Sequence, residues 1–119
     1  MKKIRPEVLE GFTTKLDTGY GNLYVTITEN DNKPFEVFCT LGKSGASTTA
    51  DAEAIGRLIS LILRYEIIPP REIVTQLSGI GGGTPFPYKD GKILSIPDAI
   101  AIALGKYLDN KKEGSDEQE

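Results

Sequence analysis

The residues best suited to chemistry lie together in Gly42-Lys43-Ser44-Gly45-Ala46-Ser47-Thr48-Thr49, where a β-patterned segment gives way to a helical one. The unpaired N–H groups and positive dipole end of a helix start favour an anion. Lys43 and the hydroxyls of Ser44, Ser47 and Thr48 add donors, and Gly42 and Gly45 let backbone approach a ligand closely. A phosphate or carboxylate is the ligand such a loop would take. It is no P-loop, because Val37 stands where the first glycine of that motif belongs. The same residues equally make a strand-to-helix turn, with glycines at positive φ and Thr48 as cap, Asp51 following three residues on. A second candidate is Gly81-Gly82-Gly83-Thr84-Pro85, where Gly82, Gly83 and Thr84 could form a backbone nest or a flap over a ligand. Thr84 replaces the third glycine of a dinucleotide fingerprint, and a flexible surface loop is the plainer interpretation.

What is missing narrows the chemistry further. The 119 residues contain no histidine and one cysteine, which removes the usual general base near neutral pH, the usual neutral metal ligand and any internal disulfide. No catalytic and no metal-ligating residue is therefore assigned. Cys39 alternates with Phe35, Val37 and Leu41 on one strand face, as a buried thiol serving as a small hydrophobe would. Arg57 and Arg64, seven residues apart, share a helix face and could meet carboxylates, a ligand or a partner, although a solvated surface explains them as well. Asp98 offsets a helix dipole. A net charge of −3 gives no diffuse attraction for polyanions, so nucleic acid is not an expected partner. The solitary cysteine and the lack of a long apolar run point to a cytoplasmic protein without a membrane span.

These side chains must be carried by a small framework. Apolar and polar residues alternate over 12–17, 22–29 and 35–41, most clearly as Leu23, Val25, Ile27 against Tyr24, Thr26, Thr28. The short connectors 18–21 and 30–33 allow only antiparallel pairing, so these segments form a three-stranded meander. From Thr48 the period becomes helical through Ala52, Ile55, Ile59, Ile62 and Leu63, ending near Tyr65. Pro70 opens a shorter helix that Gly79 closes by accepting a left-handed backbone. Residues 79–91, with five glycines and two prolines, predict no regular element, and a last helix enters at Ser95-Ile96-Pro97-Asp98 and reaches Leu108. The expected fold is α+β, a two-layer sandwich of a three-stranded antiparallel meander packed against about three helices, with the first helix central. Residues 1–11 are a lead-in, 12–108 the domain, and 109–119 a disordered acidic tail.

Several blocks occur in an order that resembles a known family: Arg5-Pro6-Glu7-Val8-Leu9, Gly21-Asn22-Leu23-Tyr24-Val25-Thr26, Pro34-Phe35-Glu36-Val37-Phe38, Leu41-Gly42-Lys43-Ser44-Gly45, Glu53-Ala54-Ile55-Gly56-Arg57-Leu58-Ile59-Ser60 and Ser95-Ile96-Pro97-Asp98-Ala99-Ile100-Ala101. Over about residues 5–108 the chain resembles the TSCPD domain found at the C-terminus of adenosylcobalamin-dependent (class II) ribonucleotide reductases. The family's signature has a cysteine before Pro-Asp, where this chain has Ile96. The resemblance implies an accessory or regulatory module of deoxyribonucleotide synthesis, partnered by the class II catalytic domain or subunit. The adenosylcobalamin belongs to that parent enzyme, and no cofactor is expected on this domain itself. A lone Cys39 cannot supply the dithiol of such a reductase, so the chain by itself is not expected to be an enzyme. Two other readings stay open. One is a free-standing nucleotide sensor or sequestering protein, alone or as a homo-oligomer, with Met1 and the polar tail marking a complete chain; the other is a structural interaction domain.

Overall fold

The computed structural model describes residues 1–42 and 46–118, without the side chains of Ala46 and residues 113–118. Strands β1 (Glu10–Thr18), β2 (Gly21–Asn30) and β3 (Lys33–Gly42) form an antiparallel meander in the order β1-β2-β3. Its hairpins are two residues long: Thr18 pairs with Gly21, and Asn30 with Lys33. Asp31 and Asn32 at the second turn have φ of 54° and 62°, the mirror-image turn that suits the right-handed twist of paired strands. Helices α1 (Ala46–Tyr65), α2 (Pro70–Leu77) and α3 (Ile96–Gln118) complete a two-layer α+β fold. No helix among the described residues is long and apolar enough to cross a membrane.

The inward face of the sheet, Leu16, Leu23, Val25, Ile27, Val37 and Leu41, meets Ala52, Ile59 and Leu63 of α1, Ile73 of α2, and Ile96, Ala99, Ile100, Ala103, Leu104 and Tyr107 of α3. The central helix is α3, not α1 as the sequence suggests. Helix α1 lies instead along β3, the edge strand, and Gly56 makes that possible: a Cβ there would stand 2.9 Å from the Val37 carbonyl oxygen. Ser60 then satisfies the strand edge, its Oγ accepting the Val37 N–H at 2.9 Å with the Val37 and Gly56 carbonyls within donating reach. An open sheet edge is thereby closed by a helix.

Two further expectations change. The glycine-rich stretch does contain regular structure, a hairpin of β4 (Phe86–Tyr88) and β5 (Gly91–Ile93). Ile93 is buried and Phe86 and Tyr88 pack on the core, so aromatic anchoring outweighs the local glycine content. The last helix, expected to stop near Leu108, continues through Gln118 where composition predicts a disordered tail. Its first added turn is held from outside: Asp109 receives Arg71 at 2.7 Å, and the Lys111 ammonium stands 2.7 Å from Glu29, a buried carboxylate at the end of the inward-facing β2 series. Burial of an unpaired carboxylate is costly, so Glu29 favours a helix long enough to deliver Lys111. Residues 1–9 form neither helix nor strand, but the Lys3 N–H donates to the Arg64 carbonyl at 3.0 Å and Arg5 pairs with Glu36 at 2.9 Å.

Candidate functional site

The sequence Ser95-Ile96-Pro97-Asp98 builds the start of α3. Ser95 is the N-cap, its Oγ accepting the Asp98 N–H at 3.1 Å while its carbonyl accepts the Ala99 N–H at 3.0 Å. Ile96 enters the core, and Pro97 sits in the first turn, where a missing N–H costs no helical hydrogen bond. Asp98 does more than offset the dipole. Its Oδ2 accepts the Leu94 N–H at 3.0 Å and its Oδ1 accepts the Gly79 N–H at 2.8 Å, so a carboxylate only 6% exposed ties the α2 terminus to the α3 start. Gly79 has the expected left-handed backbone, with φ of 80°. The Ser95 hydroxyl donates to the Ile80 carbonyl, making a second tie between the same segments.

The glycine-rich loop is fastened at its other side by the β1–β2 hairpin. The Thr18 hydroxyl donates to the Gly21 carbonyl at 2.7 Å and accepts the Tyr20 N–H at 3.0 Å, which fixes the turn and aims Tyr20 across to the loop. The Tyr20 hydroxyl donates to the Gly82 carbonyl at 3.2 Å. A Cβ on Gly83 would overlap that hydroxyl, so glycine there permits a close contact rather than a free flap.

Between these ties and α1 lies a cleft of about 490 Å³. Thr48, Asp51, Ala54 and Ile55 of α1 form one wall, Ser95, Ile96 and Pro97 another, Ile80, Gly81 and Gly82 a third, with Tyr20 at the edge. Its lining is mostly apolar, and Asp51 is the one charged side chain among the described residues there. At α3 the Asp98 and Ala99 N–H groups already bond to Ser95, and Pro97 has none, which leaves that helix start little beyond the Ile96 N–H to offer an anion. At α1, no side chain among the described residues accepts an N–H of the first turn.

The structure brings two of the sequence candidates, Thr48 and Gly82, into one cleft. Helix α1 begins at Ala46, so Thr48 lies inside the first turn instead of capping it, and Asp51 faces the cleft. Ser47 is exposed beside them. Gly42 ends β3 opposite Asn22 and lies outside the lining, as do Gly83, which packs against Tyr20, and Thr84, whose carbonyl approaches Gly19. Lys43, Ser44 and Gly45 lie outside the described residues. Tyr20, Asp51 and Ser95 were not singled out as ligand contacts from sequence. A tyrosine between two glycines at a hairpin tip, and a serine three residues before an aspartate at a helix start, are the signals that could have marked Tyr20 and Ser95.

Elsewhere, the Cys39 thiol is half-buried against the core, and desolvation pushes its pKa up to about 12, so it stays protonated and poorly nucleophilic near neutral pH. Burial, and then the Glu29 carboxylate, hold the Tyr107 phenol above its ordinary range. Arg64 donates to the Lys3 carbonyl at 2.9 Å and stacks over Phe35, whereas Arg57 pairs with Glu53 at 3.1 Å. Both arginines thus have local structural partners.

No curated protein and no solved structure matches the chain. A family model does match, across residues 1–108, and the fastened Ser-Ile-Pro-Asp turn falls within it: the chain belongs to the TSCPD domain family.

Proposed function

We propose that this domain is a non-catalytic accessory module of an adenosylcobalamin-dependent ribonucleoside-diphosphate reductase, and that it holds a nucleotide in the cleft between α1 and the signature turn. The observation that carries this is the convergence of Thr48, at an N-terminal turn free of side-chain caps among the described residues, with Gly82 and the signature turn around one mostly apolar hollow. Its volume falls within the range of small-ligand sites, about 300–1,000 Å³. The base lies against Ile55, Ile80 and Ile96 with Tyr20 at the edge, Asp51 accepts sugar hydroxyls, and phosphate sits at the α1 start. Family membership supports the association with the reductase.

The radical cofactor and the reducing thiols belong to the catalytic partner in this proposal. The chain has no imidazole to ligate cobalt and no second cysteine to pair with Cys39. What this chain contributes is recognition: a pre-formed apolar recess, one carboxylate and a helix dipole.

A thermal-shift screen over nucleoside mono-, di- and triphosphates tests the ligand, because binding to the folded state alone raises the melting temperature. A rise with at least one of them, diminished by Lys43→Ala with Thr48→Val, is expected; a flat response to all of them removes nucleotide binding. Co-purification with a cobalamin-dependent catalytic subunit tests the association separately, and failure to retain that subunit at micromolar concentrations removes it.

A further inference from the structure

Helix α1 has a second apolar stripe, turned away from the core. Leu58, Leu61, Ile62 and Tyr65 recur at i, i+3, i+4 and i+7, about a third of a turn from Ala52, Ile59 and Leu63. The chain beyond the helix adds Ile67 and Ile68, and all six are exposed. Of the helix's charged residues, Glu53, Arg57 and Arg64 gather on the flank over β3, Asp51 lies two turns before Leu58 at the cleft, and Glu66 beyond the helix turns to Lys3 at 3.3 Å. Charge is thus kept out of the middle of this surface, as in the centre of a protein interface.

We infer that this surface pairs with a second copy of the chain across a twofold axis. It carries both halves of such a contact. Ile67, 77% exposed, projects beside a hollow of about 330 Å³ lined, among the described residues, by Leu61, Ile62, Tyr65, Ile67 and Ile68. A twofold axis lets the isoleucine of each copy enter the hollow of the other, the self-complementarity that an isologous dimer requires. The two α1 helices then run antiparallel, with Leu58 of one copy against Tyr65 of the other and Leu61 and Ile62 near the axis. An unrelated partner would need only the projection or only the recess. From their fractional exposures the six side chains offer about 500 Å² per copy, hence about 1,000 Å² for a pair, which reaches the lower bound for a specific interface. The association is weak, with Kd on the order of 10–100 µM. It does not rest on what the cleft binds.

Sedimentation velocity across a concentration series provides the test, with the 12.9 kDa chain expected to shift toward twice that mass. Ile67→Glu should weaken the pairing at least tenfold. Because these positions are exposed, circular dichroism should show the variants folded. In a Cys39→Ala background, Leu61→Cys should form a disulfide-linked dimer under mild oxidation, since its position lies near the axis. A chain that stays monomeric at about 1 mM, well above the expected Kd, overturns the inference. So does a dimer indifferent to both Ile67→Glu and Leu58→Glu, or one in which Leu61→Cys fails to cross-link.

Discussion

Two helix starts border the cleft, and the protein uses them differently. At α3, Ser95 takes the Asp98 and Ala99 N–H groups and donates to Ile80, while the Asp98 carboxylate accepts the Gly79 and Leu94 N–H groups, so the start of the helix becomes an internal fastener. At α1 the first described turn presents Ala46, Ser47 and Thr48 with no side-chain cap among the described residues, and its next turn places Asp51 at the cleft. The same dipole can hold a fold together or attract a ligand. Which it does depends on whether the chain supplies its own anion at hydrogen-bond distance.

Removing that internal anion should give the largest effect. Asp98→Ala leaves two part-buried backbone N–H groups, of Gly79 and Leu94, without acceptors. A loss of about 3 kcal/mol in urea unfolding is expected. A loss below about 1 kcal/mol would mean that the turn is not a fastener and that the two helix starts are more alike than described.

Ser95→Ala should cost about 1.5–2 kcal/mol, since it removes a cap and the tie to Ile80 together. Thr48→Ala, its counterpart on α1, should change stability by less than about 0.5 kcal/mol, while weakening nucleotide binding several-fold. Equal destabilisation by the two substitutions would erase the distinction. Calorimetric titration beside urea unfolding separates the outcomes.

The framework of this comparison was largely legible in the sequence, because it rests on local patterns. Period-two alternation marks β1 to β3, and Pro70 and Gly79 bracket α2 with little ambiguity. What was illegible depends on partners far along the chain. Helix α1 yields the centre to α3 because Gly56 and Ser60 dock it on Val37, and α3 outruns Leu108 because Lys111 meets Glu29. The hairpin of β4 and β5 was hidden by its glycines. In the site, Thr48 and Gly82 meet as candidates, but Gly42, Gly83 and Thr84 do not line the cleft. Glycines at a close packing contact look the same in a sequence as glycines that embrace a phosphate. Tyr20 was missed because its significance lies in a bond to a residue 62 positions away.

Tyr20→Phe sharpens the comparison at the rim, where the loop leading toward α3 is tied to the sheet. The substitution keeps the ring and removes one exposed hydrogen bond to Gly82, so a loss of about 0.5–1 kcal/mol is expected. Hydrogen exchange should rise in residues 80–84 and remain unchanged in α1. Faster exchange spread over both helix starts would indicate that the cleft walls open as one unit, contrary to the separation drawn between them.

The smallest effect on stability should come from Asp51→Ala. Asp51 is the sixth residue of α1, past the turn in which the dipole is strongest, and its side chain makes no hydrogen bond or ion pair among the described residues. Its removal should alter unfolding by no more than about 0.5 kcal/mol. If the carboxylate accepts sugar hydroxyls, however, nucleotide affinity should fall about tenfold, the equivalent of about 1.4 kcal/mol. Inorganic phosphate, which has no sugar, should bind more tightly to the same variant because a nearby negative charge is gone. Opposite responses to these two probes would distinguish a recognition role for Asp51 from general repulsion; a parallel increase for both would show that the acid merely opposes anions at the α1 start.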